Sequence, residues 1–307
     1  MRIVFFGTPE FAVPSLRALV GEGFDVLAVV TQPDKPQGRS RSRTVPPPVK
    51  LAAEAEGIPV LQPERPTDPA FVARLRELAP DVGVVVAYGH ILKPELLRIP
   101  ARGMVNVHPS LLPALRGAAP VEWAIMNGVE MTGVSIMVLD EGMDSGPVLL
   151  QIPHAIEPDQ TGGELSAHLA EMGAQALVEA LAMWEQDALR PVPQDHTRAT
   201  FAPKLTRETA RIRWTDPEDT VARCIRALDP KPGAWAEVNG RAVKLFGARV
   251  AEGRGAPGEV LRADGSLLIA AGPGAVEVEE VQPAGKPRMA AADWIRGRGV
   301  IAGQRFR

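Results

Sequence analysis

The chain has 307 residues, of which 45% are hydrophobic and 23% are charged, and its formal net charge is −3. This composition is ordinary for a soluble globular protein, and the length favours two domains. The single cysteine, Cys224, excludes an internal disulfide framework and a cysteine-built metal site. No stretch is long and apolar enough for a signal-peptide core or a membrane span, so we expect a cytoplasmic protein.

The charge is unevenly distributed along the chain. From Thr206 onward there are 17 Lys and Arg against 13 Asp and Glu, whereas the preceding residues carry 17 against 24. The C-terminal part therefore has a net charge of +4 and the remainder −7. A basic domain tolerates a polyanionic partner, although an ordinary solvated surface explains so small an excess equally well.

The N-terminus has the pattern of a β-α-β unit. Residues 2–6 form an apolar run typical of a buried strand, an amphipathic helix is predicted from Glu10 to Val20, and a second apolar strand at 25–31. This order predicts an α/β fold with a Rossmann-like parallel sheet. The segment has no GxGxxG motif, so a nicotinamide dinucleotide is not indicated.

A basic segment rich in Gly, Ser and Pro follows at residues 33–50. It has no acidic residue after Asp34. Cations on an exposed loop can bind a phosphate backbone, but an isolated basic run is more often a solvated linker. Its cations are Lys35, Arg39, Arg41, Arg43 and Lys50.

Two polar side chains share one face of a predicted strand. Residues 104–108 alternate apolar and polar, so Asn106 and His108 project to the same side, and Pro109 ends the strand. A second strand, predicted at 133–139, leads into a loop that carries Asp144. Ligands bind at the carboxyl ends of strands in open α/β sheets, so these three residues are candidates for a catalytic site.

Each of the three side chains suits a known step of acyl transfer. An Asn amide donates to an oxyanion, a His moves a proton near neutral pH, and an Asp orients the His or takes up a proton. No Ser or Cys lies in a nucleophile elbow, which favours direct transfer between two substrates. A structural His and a turn Asp are the alternatives at these positions.

The second half of the chain begins with a long helix predicted at 163–186, followed by a Pro-containing linker. Short strands with tight turns then predict a small β-barrel, and Asn239-Gly240 marks one hairpin. We therefore divide the chain into a first domain (1–187), a linker (188–205) and a second domain (206–307).

Several short motifs occur together in this order. They are FGTPEF (6–11), TQPDKP (31–36), VVAYG (85–89), NVHPSLLP (106–113), RGAAP (116–120), KL (204–205) and RIRW (211–214). In these motifs the chain resembles the folate-dependent formyltransferases, and among them the methionyl-tRNA formyltransferases most closely. The likeness extends nearly end to end. It implies a formyltransferase domain followed by an OB-like barrel.

The resemblance also implies functions for individual residues. The formyl donor would be 10-formyltetrahydrofolate, used as a co-substrate without a metal, and the acceptor initiator methionyl-tRNA. We expect no membrane partner and a monomer. The implied catalytic residues are Asn106, His108 and Asp144; the folate-binding residues Ser110, Leu111, Leu112 and Pro113; and the tRNA-binding residues Lys35, Arg39, Arg41 and Arg43.

Two other functions fit parts of this pattern. A glycinamide ribonucleotide formyltransferase or a formyltetrahydrofolate hydrolase would share the catalytic residues, but the basic segment and the C-terminal domain argue against both. An RNA-binding protein with an inactive formyltransferase-like core would not need Asn106, His108 and Asp144. The hypothesis taken forward is formyl transfer to methionyl-tRNA.

Overall fold

A computed structural model describes residues 1–37 and 43–307. The strands of these residues are β1 (Arg2–Gly7), β2 (Asp25–Val30), β3 (Lys35–Gln37), β4 (Arg43–Val45), β5 (Val60–Leu61), β6 (Val82–Val86), β7 (Met104–His108), β8 (Arg116–Gly117), β9 (Met131–Val138), β10 (Val148–Ala155), β11 (Phe201–Ala202), β12 (Ala234–Val238), β13 (Arg241–Ala251), β14 (Val260–Ala263), β15 (Leu267–Ala271), β16 (Gly274–Pro283) and β17 (Met289–Ala290). The α-helices are α1 (Val13–Gly21), α2 (Pro48–Ala55), α3 (Pro69–Leu78), α4 (Pro94–Leu97), α5 (Pro120–Met126), α6 (Gly162–Glu185), α7 (Glu218–Ala227) and α8 (Ala291–Arg296).

The chain divides into two compact units. The first comprises Met1–Gly117, Thr132–His154 and Ser166–Phe201. The second comprises Ala118–Met131, Ala155–Leu165 and Ala202–Arg307. The domain limits derived from the sequence, at 187 and 206, stay predictions.

A seven-stranded sheet forms the centre of the first unit within the described residues. Its strand order is β10-β9-β7-β6-β1-β2-β5. The pairs β5–β2, β2–β1, β1–β6 and β6–β7 are parallel, whereas β9 runs antiparallel to β7. Parallel strands place their carboxyl ends at one edge of the sheet. The ends of β1, β6 and β7 therefore face the same side of the unit.

The central strands β1 and β6 are buried because their sequences are continuous apolar runs. Every residue of β6 is buried, as are Val4 and Phe6 of β1, because helices cover a parallel sheet on both faces. Helix α3 begins where the Asp68 side chain accepts a hydrogen bond from the N–H of Ala70. Its Leu75 packs into the same core. The predicted Rossmann-like sheet therefore rests on buried aliphatic and aromatic side chains.

An antiparallel sheet dominates the second unit. Its order is β12-β13-β16-β15-β14, and β17 pairs with β16. Asn239 and Gly240 form the predicted hairpin turn with φ of 53° and 69°, in the left-handed region that such turns require. Helix α7 packs against β13 and begins at Glu218, with Pro217 at the N-cap position. The parallel and antiparallel sheets match the predicted fold class.

No helix in residues 1–37 and 43–307 is both long and apolar enough to cross a membrane.

Candidate active site

Strand β7 and the loop after β9 bring His108 and Asp144 together. Only 3% of His108 is exposed. Its Nε2 lies 3.0 Å from the carbonyl oxygen of Leu115, and its Nδ1 lies 3.8 Å from Oδ2 of Asp144. Because a carbonyl only accepts hydrogen bonds, Nε2 carries the proton in the neutral ring. Nδ1 is then an unprotonated base that faces a carboxylate.

Asn106 precedes His108 by two residues on the same face of β7 and is partly exposed. The antiparallel partner β9 sets Asn106 opposite Met137 and His108 opposite Ser135. This register holds the polar pair at the end of the strand, where the chain leaves the sheet.

The charge state of His108 is set by its surroundings. Burial lowers the pKa of His108 below its ordinary value of 6.5, because a charged ring loses hydration. The Asp144 carboxylate and the Leu115 carbonyl raise this pKa by stabilising the charged ring, and the nearby Arg116 lowers it. The net shift is downward, so the ring is neutral at pH 7.

Asp144 is held in an uncommon backbone conformation. Its φ is +48°, in the left-handed region that few non-glycine residues adopt. Its Oδ2 accepts a hydrogen bond of 2.8 Å from the N–H of Gly117. A side chain at Gly146 would place its Cβ 1.9 Å from the carbonyl oxygen of Val138, so the loop passes close to β9. The loop is therefore tightly restrained around one carboxylate.

Gln194 and Arg116 complete these restraints, although the sequence did not suggest either as a site residue. The Gln194 amide donates to the carbonyl oxygens of Asp144 (2.9 Å) and Gly146 (2.7 Å). Its Oε1 accepts from Nε (3.2 Å) and Nη2 (2.6 Å) of Arg116, and Nη2 also donates to Nδ1 of His196 (3.1 Å). Both Gln194 and Arg116 are buried. The RGAAP motif was a signal for Arg116, whereas Gln194 lies in the stretch interpreted as a linker.

The predicted folate-binding segment, Ser110–Pro113, is anchored by two side chains of neighbouring strands. Ser135 Oγ donates to the carbonyl of Ser110 (2.6 Å) and accepts from the N–H of Leu112 (3.0 Å). The Gln151 amide donates to the carbonyl of Leu112 (2.9 Å). Ser110 and Leu112 are buried, while Leu111 and Pro113 are half-buried. The accessible part of the segment is therefore apolar.

Of the predicted tRNA-binding residues, Lys35 and Arg43 belong to β3 and β4, whereas Arg39 and Arg41 lie outside the described residues. Lys35 Nζ donates to Oε1 of Gln32 (2.5 Å). Lys50, the last cation of the basic segment, is paired with Asp34 at 2.9 Å. Lys35 also lines a cavity of about 540 Å³ in the first unit, together with Thr8, Glu10, Val13, Arg17, Gln32, Pro33, Val45, Pro46, Pro47, Pro48, Leu51, Ala52 and Ala55.

Comparison with known proteins identifies the family. Residues 1–181 match the family model described as formyl transferase, and residues 204–299 match the model of the formyl transferase C-terminal domain. Over its whole length the chain is 48% identical to the methionyl-tRNA formyltransferase of Roseiflexus sp. (strain RS-1), covering 95% of that protein. It is 47% identical to that of Myxococcus xanthus (strain DK1622), with 98% of this chain and 96% of that protein aligned. The chain belongs to the methionyl-tRNA formyltransferase family.

Solved structures that resemble the chain include HypX and an N-formyltransferase. HypX from Aquifex aeolicus in complex with tetrahydrofolic acid superimposes with a TM-score of 0.68 at 24% identity, over 95% of this chain and 46% of HypX. The chain thus spans about half the length of HypX. The N-formyltransferase from Helicobacter canadensis, in complex with folinic acid and dTDP-3-aminofucose, gives a TM-score of 0.68 at 16% identity, over 92% and 98% of the two chains. At these identities the likeness shows the fold alone, and the predicted fold class is confirmed.

Within residues 1–37 and 43–307 no three or more His, Cys, Asp or Glu side chains form a group suited to a metal ion.

Proposed function

We propose that this chain transfers a formyl group from 10-formyltetrahydrofolate to the α-amino group of methionine esterified to initiator tRNA. The product, N-formylmethionyl-tRNA, serves the start of translation. The chain acts in the cytoplasm as a monomer. The family of the chain supports the reaction type, and relatives at 48% and 47% identity bear the name methionyl-tRNA formyltransferase.

The observation that carries this proposal is the orientation of His108. The Leu115 carbonyl occupies Nε2, so Nδ1 is the nitrogen available for proton transfer, 3.8 Å from Asp144 Oδ2. Asn106, two residues earlier on the same strand face, supplies an amide donor. A neutral base, a carboxylate and an amide donor are the groups that acyl transfer to an amine requires.

The donor supplies a formyl carbon whose bond to N10 breaks as a bond to the α-amino nitrogen forms. Asn106 donates a hydrogen bond to the formyl oxygen while negative charge develops on it. His108 Nδ1 takes the proton that the amine loses and returns it to N10 of the leaving folate. Asp144 stabilises the charged ring during this step, since opposite charges 3.8 Å apart attract strongly away from water.

The orientation of His108 limits how its ring can stabilise the oxyanion. With Nε2–H already bonded to Leu115, His108 can donate to substrate only from Nδ1, after that atom has taken a proton. Proton transfer and oxyanion stabilisation by His108 are therefore consecutive. Asn106 is the donor at the beginning of the reaction.

The segment Ser110–Pro113 fits the pterin ring of the donor. Its polar backbone is largely engaged by Ser135 and Gln151, and the half-buried Leu111 and Pro113 present apolar surface. Flat aromatic ligands bind against such surfaces, with few polar contacts for orientation. The basic residues Lys35, Arg39, Arg41 and Arg43 bind phosphates at the acceptor end of the tRNA.

An assay with competing acceptors tests this function. The purified chain is given the formyl donor with charged initiator tRNA, with glycinamide ribonucleotide, or with water alone. We expect formylation of initiator methionyl-tRNA and negligible turnover with the other two. Preferred transfer to glycinamide ribonucleotide, or release of free formate, would assign one of the alternative activities. Binding of tRNA without any turnover would indicate an inactive core.

A further inference from the structure

The two ends of the basic segment 33–50 are joined by an ion pair. Lys50 Nζ donates to Oδ1 (3.0 Å) and Oδ2 (2.9 Å) of Asp34, so one ammonium group contacts both carboxylate oxygens. The Gln62 amide donates to Oδ1 of the same carboxylate at 2.7 Å. The hydrogen bonds from Gln62 and Lys50 lower the pKa of Asp34 below its ordinary value of 3.8, so this carboxylate is ionised at pH 7. The last cation of the segment is therefore neutralised by the segment's only acid.

Between these two residues the chain forms a two-stranded ribbon. β3 begins directly after Asp34, and α2 begins shortly after the end of β4. The two strands pair antiparallel, with Lys35 opposite Val45. The ion pair thus connects the residue before the ribbon to the first turn of the helix after it. We call Asp34, Lys50 and Gln62 the clasp.

The clasp is attached to the carboxyl edge of the central sheet. The Gln62 amide also donates to the carbonyl of Gln32, which follows β2, at 2.9 Å. The carbonyl of Tyr88, which follows β6, accepts from the Gln32 amide (3.1 Å) and from the hydroxyl of Thr8 (2.9 Å). The ends of these parallel strands lie on the same side of the sheet as the end of β7, which carries His108. Hydrogen bonds to this edge therefore set the direction in which the ribbon leaves the sheet.

Stability alone does not explain the Asp34–Lys50 pair. The side chains of Lys50 and Asp34 are 20% and 30% exposed. Water and salt weaken ion pairs that are partly exposed, so the pair adds little to the free energy of unfolding. Attraction of a polyanion does not explain it either, because Asp34 repels phosphates and occupies the Lys50 ammonium group. What the pair does supply is a fixed geometry at the base of the ribbon.

We propose that Asp34 and Lys50 are positioning residues that orient the basic ribbon towards the reacting centre when methionyl-tRNA is bound. Lys50 then belongs to the clasp and contacts no phosphate. This proposal rests on the proposed function for the identity of the acceptor. It deepens that function by naming the residues that hold the acceptor-binding segment in place.

Two substitutions break the clasp while they change the net charge in opposite directions. Asp34→Asn removes a negative charge and keeps an oxygen for Gln62, whereas Lys50→Met removes a positive charge and keeps an apolar stem. Both should lower kcat with methionyl-tRNA by about tenfold or more, since a displacement of about 1 Å can cost on the order of a hundredfold. The KM for the folate donor and the melting temperature should stay unchanged. Wild-type kcat in either variant would overturn the proposal.

Two further variants serve as controls. Lys50→Arg keeps a cation that can pair with Asp34, and it should recover most of the activity that Lys50→Met loses. Glu56→Gln removes an exposed carboxylate at the C-terminal end of α2, so it matches the charge change of Asp34→Asn outside the clasp. It should behave like the wild type. A loss of kcat in Glu56→Gln equal to that in Asp34→Asn would overturn the proposal, because general surface charge would then explain the effect.

The salt dependence of tRNA binding separates orientation from phosphate binding. A cation that contacts a phosphate contributes about 0.9 to the slope of log affinity against log salt. We expect Lys50→Met to leave this slope unchanged, since the clasp already neutralises Lys50. A slope lower by about 0.9 in Lys50→Met would overturn the proposal, because Lys50 would then be a phosphate ligand.

Amide hydrogen exchange tests the clasp independently of activity. The N–H groups of β3 and β4 should exchange faster in Asp34→Asn and Lys50→Met than in the wild type, because opening of the ribbon is no longer restrained. Exchange in Lys50→Arg and Glu56→Gln should match the wild type. Unchanged exchange in both clasp variants would overturn the proposal even if the wild type formylates methionyl-tRNA. If the wild type formylates nothing, the proposed function fails, and the exchange rates still decide whether the clasp holds the ribbon.

Discussion

The side-chain amide of Gln194 donates a 2.9 Å hydrogen bond to the backbone carbonyl of Asp144, a residue fifty positions earlier in the chain. Asp144 has a left-handed φ of +48°, which costs free energy in a residue with a Cβ. The same amide also holds the carbonyl of Gly146, on the other side of Ser145. Gln194 thus restrains the loop on both sides of the point where it turns, and we interpret it as a positioning residue for the Asp144 carboxylate.

Replacing Gln194 tests this interpretation. In Gln194→Ala the Asp144 loop loses two hydrogen bonds and Arg116 loses one of its two acceptors, so the carboxylate shifts relative to His108. A displacement of about 1 Å can lower turnover on the order of a hundredfold. We expect kcat to fall to this extent with little change in the KM for folate. Gln194→Glu keeps an acceptor for Arg116 but lacks the amide N–H groups, so a similar loss of kcat in both variants would identify the bonds to the loop as the cause. Unchanged kcat in Gln194→Ala would contradict the interpretation.

Substitution of Asn106 and of His108 tests the chemical step. Asn106→Asp keeps the size of the side chain but replaces the donor amide by an acceptor, and His108→Ala removes the base. Each should lower kcat on the order of a hundredfold or more while folate binding is retained. Donor binding measured by titration and circular dichroism of the variants serve as controls for folding. Turnover within a factor of two of the wild type would remove that residue from the mechanism.

The lowered pKa of His108 predicts where activity declines in acid. Because the base must be unprotonated, kcat/KM should fall only below pH 6.5, the ordinary pKa of a histidine. The Asp144 carboxylate raises the pKa of His108, so in Asp144→Asn the residual activity should decline at still lower pH. A pH–rate profile of both proteins measures this shift. A movement of the acidic limb to higher pH in Asp144→Asn would contradict the proposed pairing.

Protonation of His108 should also make the free energy of unfolding depend on pH. Below pH 6.5 the unfolded chain binds a proton at residue 108 more readily than the folded chain does. The contribution of His108 to the free energy of unfolding is therefore fully present above pH 6.5 and is lost as the pH falls through the lowered pKa of the folded state. The free energies of unfolding of wild type and His108→Gln can be measured by denaturant titration between pH 7.5 and pH 5. The difference between the two should shrink as the pH falls, and a constant difference would contradict this prediction.

Steric restraint of the loop that carries Asp144 predicts a strong effect of substitution at Gly146. A Cβ there would lie 1.9 Å from the Val138 carbonyl, a backbone atom that cannot rotate away. We expect Gly146→Ala to lower the free energy of unfolding by roughly 1–3 kcal/mol and to reduce kcat by moving the loop. Gly21→Ala in helix α1 is the matched control, since nothing lies within 4 Å of its Cβ and it should gain about 0.4–1 kcal/mol. Equal stability of the two variants in thermal melts would show that the loop can move freely.

The proposed folate-binding segment, Ser110–Pro113, also allows a specific test. A charge at Leu112 would destabilise the fold, because that side chain is only 4% exposed. The half-buried Leu111 is the better position, and truncation to alanine removes apolar contact surface. We expect Leu111→Ala to raise the KM for the folate donor about tenfold, as the loss of part of a leucine contact predicts, while the KM for methionyl-tRNA is unchanged. An unchanged folate KM would locate the pterin elsewhere.

Much of the fold could be derived from local sequence. The apolar runs at β1 and β2 predict strands of a parallel sheet, and Asn239-Gly240 predicts the hairpin between β12 and β13. These features depend on residues that are near neighbours in the chain. The alternation that sets Asn106 and His108 on one face of β7 is of the same kind, since the period of a strand is two residues.

The sequence by itself determined the order of strands and helices, the motifs that mark the family, and the side chains available for catalysis. The tertiary structure alone decided which nitrogen of His108 is free, because that depends on the Leu115 carbonyl reached through the turn after β7. It also decided that Gln194, in a segment read from composition as a linker, supports Asp144. Hydrogen bonds between residues fifty positions apart follow the path of the folded backbone, and neither hydrophobic periodicity nor local composition encodes that path.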